Sequence, residues 1–175
     1  MWRWFTWPVM VIFSLILTII AVIGSPLWVT FADSKGNLPN WLSWLQTTDN
    51  TLDGDYGWND PTQHPVMNKL TPFWKRVCWM IRNPGGGFDQ NVVGINITSQ
   101  VNYIGNPKVN NQNNTQGYCI AWNKQGWMIY FVTQDETNTC IRGYFGWKLM
   151  DSVDNPNFTG RLPLVFSFNP FMGYS

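Results

Sequence analysis

Charge is the scarcest commodity in this chain: Asp, Glu, Lys and Arg together supply 12% of its 175 residues, against 17% for aromatics. Cations and anions nearly cancel, 11 against 10. Whole-molecule attraction to nucleic acid or to acidic lipid is therefore not implied, although local basic patches remain open. Histidine occurs once, at His64, and the three cysteines, Cys78, Cys119 and Cys140, have no close spacing. They match no zinc pattern and no obligatory disulfide framework. Cys119 and Cys140 could pair if they face each other on neighbouring strands; buried thiols are the alternative. No serine occupies a nucleophile elbow. Gly85-Gly86-Gly87 follows a helical pattern instead of a strand and lacks the lysine of a phosphate loop. The familiar catalytic signatures are thus missing.

What the chain does have is an apolar opening without charge from Trp4 to Ala32. The run exceeds the roughly 20 residues needed to cross a bilayer core and is too long for the apolar part of a secretory signal. An α-helix from Trp7 to Trp28 would rise about 32 Å, close to the hydrocarbon thickness. Trp2, Trp4 and Trp7 at one end and Trp28 at the other suit the two interfaces. Residues 1–32 are therefore expected to form an uncleaved transmembrane anchor, with a kink or early stop at Gly24-Ser25-Pro26. Orientation rests on Arg3 and the amino terminus against Lys35. Lys69, Lys75, Arg76 and Arg82 lie mostly beyond the range of the charge bias, and the C-terminal domain is placed in the cytoplasm.

Residues 33–91 read as interfacial helices around an acidic loop. Leu38, Trp41, Leu42 and Leu45 recur at helical spacing, which predicts a short helix in the membrane plane. A second helix opens with Thr71 as cap and Pro72 in its first turn. Phe73, Val77, Met80 and Ile81 form its apolar stripe, Trp74 and Cys78 its margin, and Lys75, Arg76 and Arg82 its positive charge. It either docks on lipid phosphates or covers a sheet. Asn83-Pro84 and the three glycines end it.

From Val92 the period changes to two. Stretches 92–104, 117–122, 127–134, 139–149 and 162–168 are rich in β-branched and aromatic residues. Asn123 to Gly126 and Asp135 to Asn138 read as hairpin turns, Asn106 to Gln116 and Asp151 to Gly160 as longer loops. Residues 92–175 are therefore an antiparallel β-meander, and the whole chain is α+β. The tripeptides at Asn96, Asn113 and Asn157 fit the glycosylation pattern, which arises readily in an Asn-rich chain.

One constellation could hold a metal. Counting from Asp49, the calcium-loop template places Asp49, Thr51, Asp53, Gly54 and Asp60 at its first, third, fifth, sixth and twelfth positions. Asp55 and His64 would extend the set to a mixed oxygen and nitrogen site for calcium or another divalent cation. Thr51 is a weak ligand, Asp60 is shorter than the usual glutamate, and no long helices flank the loop. The same residues are also the ordinary currency of turns and caps.

The strings Leu38 to Trp58, Trp74 to Phe88, Gly146 to Leu149 and Phe166 to Phe171 resemble a family of small uncharacterised, membrane-anchored proteins of tailed bacteriophages. There, too, an apolar start precedes a tryptophan-rich stretch, an Asp-Asn and Leu-Asp-Gly-Asp segment, an Arg-Asn-Pro helix end and a closing Asn-Pro-Phe. The resemblance implies phage origin and a bacterial host membrane and supplies no activity; with the apolar run it places the chain in the host inner membrane, crossed once. Two functions follow as expectations. The first is a non-enzymatic accessory protein that contacts lipid and binds a phage or host envelope protein, with no nucleic-acid partner. The second is a membrane-tethered, metal-dependent enzyme built on Asp49 to His64. A membrane-disrupting lysis factor would leave the β domain unexplained.

Overall fold

The computed structural model describes residues 2–113, 115–133, 139–155, 158 and 160–173. The fold is α+β, as the change of period at Val92 requires. It divides into two compact units, Ile12–Val92 and Met1–Val11 with Val93–Ser175.

A single long helix, α1 (Trp2–Trp28), opens the chain and passes through both. It does not stop at Gly24. Pro26 cannot donate to the Val22 carbonyl, but the buried Ser25 hydroxyl donates to that oxygen instead, at 2.8 Å, so the helix continues. A 3-10 turn, Val29–Phe31, closes it. Gly24 has a steric role: a Cβ there would fall inside the Trp28 indole, which folds back along the helix and donates its N–H to Ile20 O at 3.1 Å. Trp28 is thus bound to its own helix.

In the unit Ile12–Val92, the core joins Ala21 and Val29 of α1 to Leu38, Leu42, Leu45, Leu52, Trp58, Val77, Trp79 and Met80. The expected helix at Leu38 shortens to one 3-10 turn, Ser43–Leu45. The reason is Gln46, whose buried side chain accepts from Leu38 N (2.9 Å) and donates to Asn50 O (3.1 Å), pinning an irregular loop. Leu38, Leu42 and Leu45 are buried as their spacing suggests, while Trp41 is exposed and meets Phe31 edge-on at 5.5 Å. After the short α2 (Tyr56–Asn59), α3 (Pro72–Arg82) begins where Thr71 and Pro72 place it, although the Thr71 side chain makes no capping bond. Its buried face is Val77, Trp79 and Met80. Phe73, Trp74 and Ile81 are exposed, so the expected stripe is rotated toward Trp79.

The three glycines after Pro84 do more than end α3. A Cβ on Gly87 would collide with the carbonyls of Ser43 and Gln46 and with Trp44 Cα, so only glycine lets the chain cross this 3-10 turn. A π-helical turn, Phe88–Val92, follows, where a strand was expected to begin.

In the other unit, β2 (Asn102–Gly105), β3 (Gly117–Trp122), β4 (Trp127–Val132), β5 (Thr139–Trp147) and β7 (Leu164–Gly173) form an antiparallel sheet in the order β2-β3-β4-β5-β7. The short β1 (Ile95–Asn96) pairs with β6 (Arg161–Leu162), so the stretch expected as one strand from Val92 to Ile104 is split in two. Part of the expected loop after Asp151 belongs to a short helix, α4 (Met150–Asp154). The expected turn at Asp135 to Asn138 lies outside the described residues. Cys119 pairs in register with Tyr130 on β4, whereas Cys140 lies on β5. One strand therefore separates them, the condition for a bridge fails, and both thiols are buried.

Period-two alternation gives the sheet two unlike faces. One carries Cys119, Ala121, Met128, Tyr130 and Val132, all buried in a core with Val109 and Leu149. The other is aromatic. Cross-strand register lines up Tyr118, Phe131, Gly143 and Phe168 in one row and Ile104, Ile120, Ile129, Phe145 and Phe166 in the next.

Candidate functional site

The acidic loop is best followed residue by residue. Asp53 is clamped to α3: Arg76 Nε meets Asp53 Oδ1 at 2.6 Å and Nη2 meets Oδ2 at 3.0 Å. The same guanidinium donates to the carbonyls of Asp33 (3.0 Å) and Ser34 (3.3 Å), and the Asp53 bond raises the Arg76 pKa further. Asp55 caps α2, its Oδ1 accepting from Trp58 N at 2.7 Å. Asp60 accepts from the backbone (2.8 Å) and hydroxyl (2.7 Å) of Thr62, which hold its carboxyl below the usual range. Thr51 Oγ1 receives Asp53 N at 3.3 Å, and Asp49 is exposed. His64 leans on the Trp58 ring at 5.2 Å, with its Nε2 3.4 Å from Arg82 Nη1. Among the described residues, no three of His, Cys, Asp and Glu converge as a metal-binding group. What the structure brings together here is a local frame of turns and caps.

A second cluster was not visible in the spacing. Trp58 packs on Trp79 at 5.4 Å, and the Arg82 guanidinium lies 5.4 Å over Trp58. The signal for it was weak: an indole at position 79 looks like any other in so tryptophan-rich a chain.

The surfaces are more informative. On the aromatic face of the sheet, the first turns of α1 cover one part. Trp4 stacks on Trp127 at 4.0 Å and 1°, and Trp7 touches Trp127, Phe145 and Phe166 while donating its indole N–H to Gly146 O at 3.2 Å. Of the indoles expected to form one membrane belt, Trp4 and Trp7 are thus engaged with the sheet. Ile104, Tyr118, Trp122 and Phe168, and Phe166 at the edge of that cover, are at least 40% exposed. A cleft of about 280 Å³ at Trp122 is lined by Trp4, Trp122 and Trp127 with Arg3 and Lys124.

In the unit Ile12–Val92, α1 is strongly two-sided. Ala21 and Ser25 are fully buried, Ser14 donates to Asp89 Oδ1 at 2.6 Å, and Gly85 approaches Thr18. Burial drives the Asp89 carboxyl pKa upward, with the Ser14 bond opposing it. The opposite side presents Ile12, Phe13, Leu15, Ile16, Ile19, Ile20, Ile23 and Leu27, each at least 40% exposed.

An α+β chain with a long apolar helix and an open aromatic sheet face is the class this geometry defines. The chain belongs to a family of unknown function, DUF7338, whose model matches residues 1–175. No curated protein and no solved structure matches it. By length and composition, α1 is able to cross a membrane.

Proposed function

We propose that this is a phage-encoded accessory protein that acts by binding, without catalysis, at the host bacterial inner membrane. Phage origin is supported by the resemblance carried by Leu38 to Trp58 and Trp74 to Phe88. Membrane attachment is supported by the bulky, uncharged face of α1, and a cytoplasmic position of the sheet follows the expected orientation. The observation that carries the binding role is the part of the aromatic sheet face that α1 leaves uncovered, with Ile104, Tyr118 and Trp122 exposed on β2 and β3 and Phe166 and Phe168 exposed on β7. Patches of this kind mark interaction surfaces, and aromatics are the residues that supply most of the energy at protein interfaces. The occupant in this reading is another phage protein or a host envelope protein.

The test is site-specific photo-cross-linking of the full chain in infected cells. A photoreactive residue at Tyr118 or Phe168 is expected to capture one and the same protein, and one at the loop residue Lys108 is expected not to. Capture by neither Tyr118 nor Phe168, or equal capture at Lys108, would remove the sheet face from the function.

A further inference from the structure

The exposed face of α1 shows how the protein meets the membrane, and the answer differs from what its length suggests. Between Ile12 and Leu27, the exposed bulky side chains are all hydrocarbon, with no hydrogen-bonding group among them. A protein partner would ordinarily call for polar groups at the rim and about one hydrogen bond per 100–200 Å². Aliphatic chains ask for nothing of the kind. At the end of the helix, Phe31 stands against the exposed Trp41, and tryptophan is a residue type favoured at the headgroup boundary.

The buried side of the same stretch decides the orientation. At Ser14 and Thr18, halfway along the apolar run, α1 is met by the turn at Gly85 and the π-helical turn that carries Asp89. That segment in turn packs on Ser43 to Thr47 and bonds Thr48 through Gln90. Exposed Thr48, Asp49 and Asn91 directly follow these segments in the chain. If α1 crossed the bilayer, its midpoint would be about 15 Å from either interface, and these short turns with their exposed polar residues would sit in hydrocarbon. Backbone of that kind is tolerated at such depth only when protein or a water-filled cavity surrounds it.

We propose that α1 lies along one leaflet instead of crossing it, with its Ile12 to Leu27 face sunk into the acyl boundary and its Ser14, Thr18, Ala21 and Ser25 side turned to the rest of its unit. This rests on the membrane role proposed above. An in-plane helix of this sort buries its apolar face about 5–10 Å into the headgroup and acyl boundary, and leaves the packed side in water. The occupant is a lipid leaflet, and both ends of α1 stay on the same side of it.

The experiment uses the full chain with one epitope tag at each terminus, in right-side-out and inside-out bacterial membrane vesicles treated with protease. Flotation with vesicles of phosphatidylethanolamine and phosphatidylglycerol runs in parallel. In-plane attachment predicts that the chain floats, that both tags are digested in the same vesicle type, and that Ile20→Glu lowers vesicle binding roughly tenfold or more. Flotation with the tags digested in opposite vesicle types would overturn the in-plane helix and leave the membrane role standing. No flotation at all would overturn both. A soluble dimer in which Ile16→Cys cross-links to its counterpart would assign the face to a second copy of the chain and overturn the proposal.

Discussion

At the scale of single residues, two side chains do work that their neighbours in sequence do not announce. Asp89 is half-buried and its carboxyl pKa is raised, so the native state binds its proton more tightly than the unfolded chain does. The sign follows: stability associated with this group is fully present below the ordinary carboxyl range and is lost as pH rises through the raised folded value. Asp89→Asn keeps an oxygen for the Ser14 hydroxyl and removes the titration. The variant is expected to gain stability at neutral pH and to show a flatter profile as pH rises from the ordinary carboxyl range toward neutrality, read by chemical denaturation at each pH. Arg76 is the other. Its fork holds Asp53 and two carbonyls at once, and the partly exposed setting limits what it contributes. Arg76→Ala is expected to cost about 1–2 kcal/mol, and Arg76→Lys to recover less than half, because an ammonium cannot span those acceptors. Both residues were present in the sequence as charge alone; their partners, 75 and 23 positions away, were not.

At the scale of elements, boundaries were legible wherever local chemistry sets them. Thr71-Pro72 started α3 on time, the hairpin turn at Asn123 to Gly126 joined β3 to β4, and alternation placed the central strands. Elements governed by a distant partner were not legible. Leu38 to Leu45 has helical spacing, but the Gln46 side chain holds its first residue in an irregular turn. Gly87 is the clearest element-scale test, because the colliding atoms are backbone and cannot rotate away. Gly87→Ala is expected to destabilise the unit Ile12–Val92 by about 1–3 kcal/mol or more, seen as a lowered denaturant midpoint. Trp7 joins α1 to the sheet through three aromatic rings and one hydrogen bond. Trp7→Ala is expected to cost about 2–3 kcal/mol and to loosen the sheet unit, measured as faster amide exchange along β5 and β7.

At the scale of the whole molecule, the governing fact is how much bulky apolar surface is left uncovered, on α1 and on the sheet. Patches of that extent promote association in water. The full chain purified in mild detergent is expected to remain dispersed and to aggregate when the detergent is withdrawn, unless lipid vesicles take its place; light scattering reads the difference. If it stayed dispersed without detergent or lipid, the membrane role would be in doubt.

Composition and periodicity by themselves determined the α+β class, the long apolar helix and the antiparallel order of the central strands, because those depend on which residues follow one another at spacings of two or of three to four. Tertiary structure alone decided which side of α1 is covered, that Trp4 and Trp7 belong to the sheet, that Cys119 and Cys140 are a strand apart, and that the acidic loop is tied up in caps and a guanidinium clamp. Those outcomes depend on contacts between residues far apart in the chain, and no local pattern records which distant surface a side chain will meet.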